Sequence, residues 1–150
     1  QLVAHGIAQM VEFIDSNEQS WDLIFLESLR VSKSGKSSLV FPKPNWYIYY
    51  SLPTIHQSIV YRRTEELLTG YDLRYRICGD YEITARLLQS GARYKKLSIL
   101  GSKFFLGGIS SQNHNELANE AMQIQINTLR VPYVFAYLFK LFRRLRLKLG

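Results

Sequence analysis

Residues 70–108 place an amphipathic helix directly before two extended runs, and that order restricts the folds open to this chain. In GYDLRYRICGDYEITARLLQSGARYKKLSILGSKFFLGG, the residues Ile83, Leu87 and Leu88 share one side of a helix over about 80–90. Asp80 stands at its N-cap and Gly91 stops it. Residues 94–100 and 103–106 then read as strands, with Gly107-Gly108 breaking the second. A helix that gives way to strands within a few residues points to an α/β domain.

The rest of the chain fits that class. Ile7, Met10, Val11 and Ile14 recur at helical spacing, which predicts a helix over about 5–16. WDLIFL at 21–26 reads as a buried strand. Residues 29–31 and 39–41 flank SKSGK, whose Ser-Gly pair signals a hairpin, so a small antiparallel element is expected there. Pro42 and Pro44 end it, and NWYIYYSL forms a short aromatic-rich helix or turn before Pro53. A strand follows over 58–61, then a short helix near 64–68 with Thr64 as its cap. A long helix runs from about 113 to 129, and Pro132 separates it from a last one.

At 150 residues and 47% apolar, the chain can bury one core. Its single cysteine, Cys78, makes no internal disulfide and no zinc cluster, which favours a cytoplasmic setting. QLVAHGIAQMVEFIDSN has no basic region followed by an apolar core, so it does not read as a signal peptide. It lacks a starting methionine and opens where a helix is about to begin, so the expectation is a piece of a longer chain.

Net charge is +7, and five of the cations (Lys140, Arg143, Arg144, Arg146, Lys148) lie in a tail without acids, leaving +2 elsewhere. The tail, PYVFAYLFKLFRRLRLKLG, is too short and too charged at its end to span a bilayer. An interfacial helix on an anionic leaflet, held by those five cations, suits it better. The other reading is a helix that packs its apolar face on a further half of the protein expected outside this chain and keeps its cations in water. Nucleic acid fits less well, because the cations are interleaved with lipid-like side chains.

KPNWYIYYSLPTIHQS, YDLRYRICGDYEITARLLQSGARYKKL and GGIS carry a resemblance that extends from the first helix to Pro132. Together they resemble the acceptor-side half of bacterial family 2 glycosyltransferases that build exopolysaccharides, in the colanic-acid-type branch. The resemblance implies an α/β fold, the C-terminal half of a GT-A (Rossmann-like) glycosyltransferase with a mixed sheet, over 1–131. The donor-binding half would lie outside the chain, and 132–150 would be a basic amphipathic helix at the membrane surface. The implied activity is inverting transfer from a nucleotide-sugar donor to a growing, lipid-linked exopolysaccharide or cell-surface glycan. Its place would be the inner face of the cytoplasmic membrane. The alternative is a non-catalytic remnant that serves as a membrane-surface or partner-binding module.

Inverting transfer needs a base for the acceptor hydroxyl, while the leaving diphosphate is neutralised, usually by a metal. The resemblance puts Gly79-Asp80-Tyr81 where the family carries an acidic pair or a single Asp; only Asp80 is acidic, so it becomes the base. It is equally a residue type that simply caps a helix. His56 and Gln57 match a pair placed beside the reacting sugar and can bond hydroxyls, or can satisfy a turn. Gly107, Gly108 and Ser110 match a loop that approaches the acceptor, although any tight turn uses such glycines. A divalent metal (Mg or Mn) is expected for the intact enzyme. Asp15, Asp22, Asp72 and Asp80 form no D-x-D pair, so its main ligands would lie outside the chain; His114 is the one late candidate ligand, or else a solvated loop histidine. The aromatics around 46–50 and Tyr61, Tyr71, Tyr75 and Tyr81 could stack on sugars, but most are expected in the core.

Overall fold

The computed structural model describes residues 1–16, 21–32, 34–106 and 113–149, without the side chains of Glu66 and of 147–149. In chain order the elements are α1 (Ala4–Ser16), β1 (Leu23–Val31), β2 (Ser37–Val40), β3 (Ile59–Tyr61), α2 (Glu65–Leu68), α3 (Gly79–Gln89), β4 (Tyr94–Phe105), α4 (His114–Asn127) and α5 (Tyr133–Leu149). Two 3-10 turns, Asn45–Tyr49 and His56–Ser58, precede β3. This is a mixed α/β arrangement around one four-stranded sheet.

Strand β1 is the axis of the sheet. It pairs antiparallel with β2 and with β3 at opposite ends of one edge, and parallel with β4 along its whole length on the other. Leu23 and Phe25 face α3, where they meet Ile83 and Leu87. Ile24 and Leu26 face α1, beside Met10, Phe13 and Ile14. Burial on both faces explains the unbroken apolar run LIFL in place of the alternation of a half-buried strand. Behind α3 a second core joins Ile48, Tyr75, Tyr81 and Ala85 to Ala121, Ile124 and Leu129 of the α4 region.

Several expected boundaries shift. The runs 21–26 and 29–31 are one strand, because the polar Glu27-Ser28 step is absorbed by two register shifts against β4. Ser28 is buried there, with its hydroxyl bonded to that of Ser58 at 2.8 Å. The hairpin strand expected at 39–41 is Ser37–Val40. Residues 94–100 and 103–106 likewise form one strand, since Gly101 lets the backbone pass tightly against Leu26. The 113–129 helix is His114–Asn127, and the aromatic stretch before Pro53 is a 3-10 turn.

Of the three helix ends read from the sequence, two hold and one does not. Thr64 caps α2 by accepting from the Leu67 N–H at 3.3 Å. Gly91 follows the end of α3 with φ of 89°, the left-handed conformation that glycine supplies at a helix stop. Asp80 does not cap α3: the helix starts one residue earlier, Cys78 holds the N-cap position, and no side chain caps there. The neighbouring donors are satisfied from another element. Glu120 of α4 accepts the N–H groups of Arg76, Ile77 and Cys78 at 2.9, 2.9 and 2.8 Å.

Candidate functional site

The freed Asp80 carboxylate lies in the first turn of α3, where the helix dipole favours an anion. Its Oδ1 accepts the Tyr71 hydroxyl at 2.9 Å. Its Oδ2 stands 3.9 Å from Nδ1 of His56, with the aspartate side chain 34% and the histidine 44% exposed. Tyr71 reaches Asp80 by lying across Gly79, where a Cβ would come within 3.1 Å of its ring. The residue that departs from an acidic pair thus makes room for the phenol. Burial pushes the Tyr71 phenol above its usual range, and the hydrogen bond to Asp80 and its negative charge push it further.

The His56 turn is anchored to the middle of the sheet. Thr54 donates to the Leu26 carbonyl at 2.9 Å, and Ser58 donates to the Glu27 carbonyl at 3.1 Å. Ser58 Oγ also lies 2.7 Å from Ser102 Oγ. Phe104 on β4 stands in a T-shaped arrangement with the imidazole, with ring centroids 6.3 Å apart. Two hollows adjoin the pair: one of about 440 Å³ includes Asp80, Gly79 and Tyr71, and one of about 480 Å³ includes His56 and Phe104. An accessible carboxylate with one oxygen held and the other turned toward an imidazole can take a proton from a bound hydroxyl.

The structure brings Asp80 and His56 together and separates Gln57 from them. Gln57 lines an apolar hollow formed with Leu2, Gly6 and Met10. Gly107, Gly108 and Ser110 lie outside the described residues. His114 opens α4, and among the described residues no three His, Cys, Asp or Glu side chains gather where a metal ion could be held.

The aromatics divide by position. Tyr75 and Tyr81 are in the core as expected, but Trp46, Tyr49 and Tyr71 are exposed. Tyr81 packs in that core with its buried hydroxyl satisfied by donating to the Ile48 carbonyl at 2.7 Å. That contact belongs to a larger convergence on the end of the first 3-10 turn. Gln125 of α4 donates to the Tyr49 and Tyr50 carbonyls at 3.0 and 3.3 Å, and Arg143 of α5 donates to Tyr50 as well.

Arg143 is therefore turned inward, its guanidinium 4.9 Å from the centre of the Tyr50 ring, and it does not face outward with the membrane-contacting cations among which it was expected. Ala136 shares this inner face, while Val134, Leu138, Leu141 and Leu145 point outward and are exposed. Helix α5 is thus apolar on its outer side. Arg146 is exposed, Lys140 and Arg144 are half-buried, and the Lys148 side chain lies outside the described residues. Among the described residues no helix is long and apolar enough to cross a membrane.

Sequence reasoning missed Glu120 and the partnership of Tyr71 with Asp80. Glu120 carried a signal: an acid in the same stripe as Ala121 and Ile124 must find donors when buried. Tyr71 carried none, since only the tertiary fold sets its distance to Asp80. Compared with family models, with curated proteins and with solved structures, the chain gave no match.

Proposed function

We propose that this chain forms the acceptor side of an inverting glycosyltransferase of GT-A type, working on a lipid-borne exopolysaccharide or cell-surface glycan at the inner face of the cytoplasmic membrane. Asp80 is the base. Its Oδ2 accepts the proton of an acceptor hydroxyl, the oxygen bonds to the anomeric carbon of the donor, and the nucleotide diphosphate leaves with the electron pair. Tyr71 holds the other carboxylate oxygen, and His56 hydrogen-bonds the incoming saccharide.

The observation that carries this reading is the pairing of two accessible side chains, Asp80 and His56, at 3.9 Å between two adjoining hollows. The resemblance of the two segments that hold them supplies the reaction class. The outward apolar face of α5, with the exposed Arg146, supports attachment to an anionic leaflet.

The test uses the native polypeptide containing this chain, purified from its source cells and supplied with nucleotide sugars and the membrane lipid fraction. Asp80→Asn should lower transfer by about 10²–10⁴-fold, the usual worth of a positioned base, with the fold intact by circular dichroism. A variant that turns over near the wild-type rate ends the assignment and leaves the non-catalytic membrane-surface module as the reading.

A further inference from the structure

The larger hollow beside His56 has an unusual charge. Arg30 from β1, Lys43 from the loop after β2 and Arg146 from α5 line it together with His56, and no carboxylate does. The three cations are exposed, and among the described residues none has a carboxylate partner. Elsewhere Asp22, Asp72 and Glu82 each hold an arginine, at 3.1, 2.6 and 3.2 Å. Cations brought from a strand, a loop and a helix to one concavity repel one another, and a bound anion relieves that repulsion. Arginine forks match the oxygens of a phosphate, and a lysine adds a point charge. Ser38 and Tyr47, each with a hydroxyl, also line the hollow.

We propose that this hollow binds a phosphate group through Arg30, Lys43 and Arg146. His56 borders the hollow and stands 3.9 Å from Asp80, so a molecule anchored there by phosphate extends its hydroxyls toward the carboxylate. Resting on the transferase reading above, the acceptor is then a phosphate-bearing saccharide. The phosphate site itself does not depend on that reading. Two sources share the chemistry: a sugar phosphate, and the headgroup of a phospholipid, because Arg146 sits on the helix whose outer face is apolar.

Calorimetric titration of the protein at low salt with inorganic pyrophosphate and with glucose 1-phosphate tests the first source, with glucose as control. Sedimentation with phosphatidylglycerol vesicles, against phosphatidylcholine, tests the second. The variant combines Arg30→Gln with Lys43→Gln; both positions are exposed, so an unchanged melting temperature is expected and α5 is left intact. The proposal expects at least one phosphate probe to bind the wild type and to lose tenfold or more in affinity in the variant. Loss confined to pyrophosphate and glucose 1-phosphate assigns the site to a sugar phosphate, and loss confined to vesicles assigns it to a lipid headgroup. Binding of no phosphate probe, or equal binding by wild type and variant, overturns it. Asp80→Asn should leave phosphate affinity unchanged, so failure of this site and failure of the transferase reading are seen separately.

Discussion

Tyr71 donates its hydroxyl to Asp80 Oδ1 at 2.9 Å, and this bond determines which carboxylate oxygen is left facing His56. The contact exists because Gly79 has no side chain to push the phenol away.

The phenol therefore reports on the site. Asp80→Asn removes the charge that disfavours the Tyr71 phenolate, so the titration of Tyr71, followed by NMR of ring-labelled tyrosine, should move down toward its ordinary value of 10. Gly79→Ala should have the same sign through loss of the contact. A Tyr71 titration unchanged in both variants would falsify the arrangement.

Glu120 positions the segment that leads into Asp80. Its carboxylate takes three backbone N–H groups, so Glu120→Ala should destabilise the fold by about 3 kcal/mol, as expected for loss of bonds to a buried charged group. Cys78 supplies a second readout. Burial, and next the Glu120 charge, push its thiol up to about 12, so it should resist alkylation at pH 8 in the wild type. Faster alkylation in Glu120→Ala at a denaturant concentration where the wild type stays protected is the expected result.

Helix α5 calls for side-chain substitutions. Cutting it away would also remove Arg143 from Tyr50 and uncover the core side of α4, so lost membrane binding would be confounded with lost packing. Changing the exposed Val134, Leu138 and Leu145 to serine leaves Ala136 and Arg143 in place. Flotation with anionic liposomes should fall at least tenfold with the melting temperature unchanged; undiminished flotation would remove the membrane from the proposal.

Asp22 links the starts of β1 and β4, accepting the backbone N–H of Arg93 at 2.8 Å and its guanidinium at 3.1 Å. The Arg93 side chain holds the Asp22 carboxyl below its usual value of 3.8. Because the folded carboxylate gives up its proton more readily than the unfolded one, the contribution is fully present above that value. It is lost as pH falls through the folded value. Asp22→Asn should lower stability at pH 7 by about 1 kcal/mol and flatten the acid limb, as chemical denaturation across pH 2–7 would report.

Local pattern was enough for the elements whose causes are local. The LIFL run, the apolar stripe Ile83 and Leu87, the Thr64 cap and the Gly91 stop are each recorded within a few residues, and the fold keeps them. The strand divisions at Glu27-Ser28 and Gly101-Ser102 were misleading for a matching reason. Polar and small residues look like breaks until a partner strand absorbs the register shift and Ser58 meets both serine hydroxyls. Asp80 was legible as the carboxylate at the start of α3, yet the cap expected of it is absent, because the helix begins before it and Glu120 satisfies the preceding loop from another helix.

The sequence by itself determined the α/β class, the order of helices and strands, and the concentration of cations near the end of the chain, all of which follow from spacing and composition. Only the tertiary structure decided that His56 meets Asp80, that Tyr71 occupies one carboxylate oxygen, that Arg143 turns inward and that Arg30, Lys43 and Arg146 share a hollow. Those relations depend on distances between segments remote in the chain, and packing of the sheet against α3, and of α4 against α5, sets those distances.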